Sequence, residues 1–168
     1  MKRLMYFFMS LVLVTSILGV KSSADASSYS TGKAILPSYV EQYAFATVFY
    51  VSNITDNPIN VTVTLFNTDG TILTDDNNMN AGRISGFNLL NYSDQNTDST
   101  LTFTLNPHAT GHFETKMNTT ITNKGYGIIQ WKQEGNAAYG LVAHSNLVYN
   151  VVGDSSRYAI PINGGLPF

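Results

Sequence analysis

The chain has 168 residues, no cysteine, nine Lys+Arg against eleven Asp+Glu, and only 12% charged residues. Scattered cations in a mildly acidic chain argue against a nucleic-acid partner, because phosphate binding rests on clustered lysine and arginine. Without cysteine there are no disulfides and no lipid-modified cysteine, so stability has to come from packing.

At the N-terminus Lys2 and Arg3 precede an uncharged apolar run, Leu4 to Val20, and then "KSSADASS", with small residues at Ala24 and Ala26. That order predicts a cleaved secretory signal over 1–26 and a secreted protein associated with the cell surface; an uncleaved anchor is the alternative. No membrane contact is expected after cleavage, since no second apolar run follows. A cysteine-free exported chain of this style points to a Gram-positive bacterial source. The remaining 142 residues hold six Lys+Arg and ten Asp+Glu, enough length for one domain with its own core. Residues 27–42 are expected to be an N-terminal extension and 43–168 the domain.

The domain reads as all-β. "YAFATVFYVSN" (Tyr43–Asn53) is apolar on both faces, which predicts a central strand, and "ITDNP" ends it. "INVTVTLFN" (Ile59–Asn67) alternates apolar residues with Asn60, Thr62 and Thr64, a half-buried strand by its period of two. "NTDG" then predicts a hairpin turn. Within "DDNNMNAGRISGFNLLNYSDQNTDS" (Asp75–Ser99), only "RISGFNLLNY" has the character of a strand or short helix. "TLTFTLN" (Thr100–Asn106) repeats the alternation, with threonine on the solvated face. After Asn106-Pro107 and a turn over Ala109–Gly111, "HFE" starts a strand with His112 and Glu114 outward.

"GYGIIQWK" (Gly125–Lys132), the turn "QEGN" and "AAYGLVAHSNLVYNV" (Ala137–Val151) follow. "RYAIPI" (Arg157–Ile162) closes the chain as an edge strand, because Pro161 cannot donate to a ladder. The sum is a single antiparallel β-sandwich of about seven to eight strands. From Tyr43 to Tyr149 the order of pieces resembles bacterial secreted immunoglobulin-like β-sandwich surface domains. In those domains a segment such as "ATVFYVSNITDNPINVTVTLFNTDGTIL" forms a long hairpin. A strand–Pro–strand element such as "TFTLNPHATGHFE" and a glycine-flanked strand such as "GYGIIQWKQEGNAAYGLVAHSNLVY" follow it. The resemblance implies a structural or binding module of unassigned activity and carries over no catalytic residue.

Candidate sites are sparse. His108, His112, Glu114 and His144 offer nitrogen and oxygen donors for zinc, but no short pair has a metal-binding spacing, so a turn and an outward strand face account for them as scaffold. Asp75 and Asp76, with Asn77, Asn78, Asp94 and Asp98, are oxygen-rich and suit calcium, without the spacing of an EF-hand loop. "GDSS" (Gly153–Ser156) has a Gly-Asp-Ser order but lacks a partner histidine motif, so it reads as a turn. Trp131 and Tyr139 are the rings placed to stack on a ligand, although Trp131 alternates with Ile129 and fits the core. No catalytic residue and no cofactor is expected. The function these features favour is a secreted, non-catalytic structural or interaction protein, self-associating or bound to a cell-wall component. A monomeric glycan- or calcium-binding module is the alternative, and a small metal-dependent hydrolase a more distant one.

Overall fold

The structure is a computed structural model that describes residues 28–73, 84–94, 100–115, 122–151 and 154–168. The expected signal over 1–26, Asp75, Asp76 and Asp98 lie outside these residues.

Ten strands form from the described residues: β1 (Tyr29–Glu41), β2 (Phe45–Asn53), β3 (Ile59–Asn67), β4 (Ile84–Phe87), β5 (Leu90–Asp94), β6 (Thr100–Leu105), β7 (Thr110–Thr115), β8 (Asn123–Glu134), β9 (Leu141–Val151) and β10 (Asp154–Pro161). They make two antiparallel five-stranded sheets, in the order β1-β8-β3-β6-β5 (sheet I) and β10-β9-β2-β7-β4 (sheet II). The fold is thus an all-β sandwich. Period-two alternation turns one face of each sheet inward. Val61, Val63, Leu101, Phe103 and Ile129 from sheet I meet Phe49, Val51, Phe113 and Leu141 from sheet II in one buried cluster. Phe113 stacks on Phe49 within sheet II at 4.8 Å and reaches Phe103 of sheet I at 6.1 Å, so it ties the two layers together.

Three expectations change. The segment taken as an N-terminal extension is instead β1, a 13-residue edge strand paired with β8 along its length. Its alternation is hard to see because the register shifts between Leu36 and Tyr39. An extra residue there moves the inward set from even to odd positions, so Leu36 and Tyr39, three apart, are both buried. Second, the region around "RISGFNLLNY" is two short strands, β4 in sheet II and β5 in sheet I.

Third, β2 and β3 do not form a hairpin. They lie in different sheets, and the "ITDNP" link is a corner between layers. Buried Asn53 holds that corner. Its amide nitrogen donates to the carbonyls of Asn57, Leu105 and Asn106, and its oxygen accepts from the backbone N–H and hydroxyl of Thr55. The same side chain therefore also fixes the β6–β7 crossover. The expected turn at "NTDG" is present: Gly70 takes φ 84° and donates to the Asn67 carbonyl, and the chain returns far enough for Ile72 to bridge Phe66.

Candidate functional site

The outer face of sheet II brings together residues that are far apart in sequence. Register places Phe87 of β4 opposite His112 of β7, His112 opposite Tyr50 of β2, Tyr50 opposite His144 of β9, and His144 opposite Pro161 of β10. One row therefore crosses all five strands. Its rings contact one another in series: Phe87 to His112 at 4.7 Å and 27°, His112 to Tyr50 at 5.3 Å and 41°, Tyr50 to His144 at 5.0 Å and 11°. These separations match the spacing of neighbouring strands, about 4.8 Å. The rings therefore stand up from the sheet and turn their faces toward each other. What they offer outward is edges: ring C–H groups, imidazole nitrogens and the tyrosine hydroxyl.

Beside this ladder the next two rows form a shallow concavity of about 290 Å³. Its floor is apolar, with Ala46, Val48 and Val148, and its wall is Tyr50 and His112. Glu114 lines it from β7, and Arg157 lines it from β10 on the opposite side. Ala46 and Val48 are buried although they lie on the outward side of β2, so this part of the face is already shielded from water. The sequence marks β2 as apolar on both faces for this reason: one side meets the core and the other carries the floor of the concavity.

The histidines and glutamate singled out as metal donors are divided. His112 and Glu114 share the outward face of β7, and His144 is in the same row as His112. Tyr50 stands between the two histidines, which puts them two strand spacings, about 10 Å, apart. A zinc ion needs its donors at about 2 Å. His108 sits in the β6–β7 corner with φ 56°, its Nε2 3.0 Å from the carboxylate of Asp56. Among the described residues no group of three or more His, Asp or Glu is placed to hold a metal ion.

Trp131 is 3% exposed and belongs to the core. Its indole N–H donates to the Phe168 carbonyl at 2.8 Å, and its ring lies over Gly140, where a Cβ would come within 2.8 Å of it. A ring so covered offers no face to a ligand. Tyr139 is 59% exposed, in the link before β9 and outside the ring row. Asp154–Ser156 of the "GDSS" stretch belong to strand β10. Tyr50 and Phe87 were not singled out in the sequence as site residues. The signal for Tyr50 was its place among the outward residues of a strand apolar on both sides.

No protein-family profile matches the chain, and no curated protein matches it. Among solved structures, the crystal structure of Thermotoga maritima 1070 superposes with a TM-score of 0.45 at 8% identity, over 77% of this chain and 90% of that chain.

Proposed function

We propose that this is an exported, non-catalytic interaction protein of the cell surface or extracellular matrix, and that it associates with copies of itself through the outer face of sheet II. The observation that carries this is the ring row Phe87–His112–Tyr50–His144 beside an apolar floor with Glu114 at one side and Arg157 at the other. Interface centres are rich in tyrosine, phenylalanine and arginine and poor in other charges. The ring C–H edges and apolar floor lose little on dehydration, and the Tyr50 hydroxyl and the imidazole nitrogens of His112 and His144 can pair with one another across a self-contact.

The face is also self-complementary. A two-fold axis along the strands, midway between β2 and β9, lays β7 of one copy over β10 of the other. Glu114 and Arg157 stand equally far from that axis and one row, about 6.8 Å, apart along it, an offset the long arginine side chain spans by slanting toward the partner's Glu114, twice per dimer. Such an arrangement opposes Tyr50 to the partner's His144. His112 and Tyr50 have ring neighbours on both sides, which argues against sugar stacking on them, because a sugar needs a free ring face.

Light scattering on a sizing column tests the reading. Purified residues 27–168 are expected to elute with a mass well above one chain. Arg157→Glu should return the monomer mass, and Glu114→Arg combined with Arg157→Glu should restore association by exchanging the charges. A monomeric wild type at high concentration would sink the proposal. An Arg157→Glu variant that stays associated would move the interface off this face.

A further inference from the structure

The outer face of sheet I carries a second concavity, separate from the ring row. It is a groove of about 580 Å³ across β1, β8 and β3, and its side chains include Thr31, Lys33, Asn60, Thr62, Gln130 and Lys132. No carboxylate lines it, in a chain whose net charge is −2.

Two of the chain's nine basic residues thus line one groove. Lys33 is opposite Gln130 and Lys132 is opposite Thr31, so the two lysines are diagonal neighbours on adjacent strands, about 7–8 Å apart at their backbones. Two like charges on one face raise the local potential for an anion. Neither lysine forms an ion pair among the described residues. The Lys132 ammonium rests 3.9 Å over the Tyr29 ring, on the opposite diagonal from Lys33, which fixes a cation at one end of the groove without neutralising it. The neutral residues add donors. Thr104 gives its hydroxyl proton to the Asn60 carbonyl oxygen at 2.9 Å, which leaves the Asn60 amide N–H groups for the groove. Asn60 is opposite Lys132 and Thr62 is opposite Gln130, so donors follow the two lysines in rows across the sheet. A bare lysine pair would hold any small anion. A lysine pair set among hydroxyl and amide groups at sheet spacing fits an anion that is also rich in hydroxyls.

We propose that this groove binds an acidic glycan, with its anionic groups on Lys33 and Lys132 and its hydroxyls on Asn60, Thr62 and Gln130. Charge complementarity selects that occupant, and the site needs no dehydration of the face. Affinity electrophoresis of the whole secreted chain tests it, in native gels containing alginate (carboxylate), heparin (sulfate) or neutral dextran. Alginate or heparin should retard the protein, the stronger of the two identifying the anionic group, and retardation should weaken as salt is added. Dextran should retard it at least 10-fold less.

Lys33→Gln with Lys132→Gln should weaken retardation at least 10-fold, and Lys33→Arg with Lys132→Arg should keep it. An unchanged melting temperature shows that both variants fold. The proposal is overturned if neither acidic glycan retards the protein, if dextran does so equally, or if the glutamine variant binds like wild type. It is also overturned if a thymidine oligonucleotide competes as well as alginate does, since that would mean any polyanion suffices.

Discussion

The concavities on the two outer faces of this sandwich are built by the same alternation and end up with different chemistry. The groove of sheet I is lined by threonine, asparagine, glutamine and two lysines, with exposed Ile35 and the stacked Phe66–Tyr126 pair beyond it; the concavity of sheet II has rings beside an apolar floor, with Glu114 and Arg157 at its sides. The difference lies in what each face loses when water leaves. Hydroxyls, amides and ammonium groups must be re-paired when they are dehydrated, at about 1–3 kcal/mol for each polar group left unpaired. Stacked rings and small apolar side chains gain from the same change. The proposed hydrated ligand on one face and the proposed contact with a second copy on the other rest on that difference.

The largest expected effect comes from removing what holds the two faces to one body. Phe113→Ala should cost about 3–5 kcal/mol in urea unfolding, because Phe113 packs on Phe49 within sheet II and on Phe103 across the sheets. Both proposed binding activities should fall with it. A cost below about 1 kcal/mol would mean that the layers are not coupled through this ring. Asn53→Ala should come next, at about 1–3 kcal/mol, since three corner carbonyls lose their donor. Asn53→Asp supplies the oxygen without the donor and should rescue little.

The surface changes sharpen the comparison by crossing it. Arg157→Glu should alter mass in solution and leave glycan retardation unchanged, while the Lys33→Gln, Lys132→Gln pair should do the reverse. Each should change stability by no more than about 0.5 kcal/mol, as exposed substitutions do. If one variant moves both readouts, the faces are not independent.

The smallest effect concerns Asp69 at the β3 turn. The Thr71 hydroxyl donates to its carboxylate at 2.6 Å and the Thr71 backbone N–H at 3.0 Å, and these bonds hold its pKa below the ordinary 3.8. A folded pKa below the unfolded one means that this turn adds stability above the unfolded value and loses it as pH falls through the folded value. Asp69 is fully exposed, so the contribution is small. An NMR titration of Thr71→Ala should show the Asp69 pKa rising toward its ordinary value, with melting on the acid side less sensitive to pH.

Much of the strand content was legible from local pattern. The alternations in Ile59–Asn67 and Thr100–Leu105, the outward His112 and Glu114, the core position of Trp131 and the turn at Asp69-Gly70 each depend on neighbours a few residues away. β1 was hidden by the phase change between Leu36 and Tyr39, which breaks a period of two at its middle. β4 and β5 were hidden by their length, four and five residues, too short for a period to show.

The site was less legible. His112 and His144 stood out in the sequence as metal donors, yet their row also contains Tyr50 and Phe87, and the four rings come from β7, β9, β2 and β4. Likewise Lys33 and Lys132 are 99 positions apart and share a groove only because β1 pairs with β8. The amino-acid sequence by itself determined which side of the regularly alternating strands, such as Ile59–Asn67 and Thr100–Leu105, is polar, because alternation along a strand is a local property. Which strands lie side by side, and so which side chains form one row, was decided only by the tertiary structure, because lateral neighbours in a sheet are set by pairing and register between distant segments.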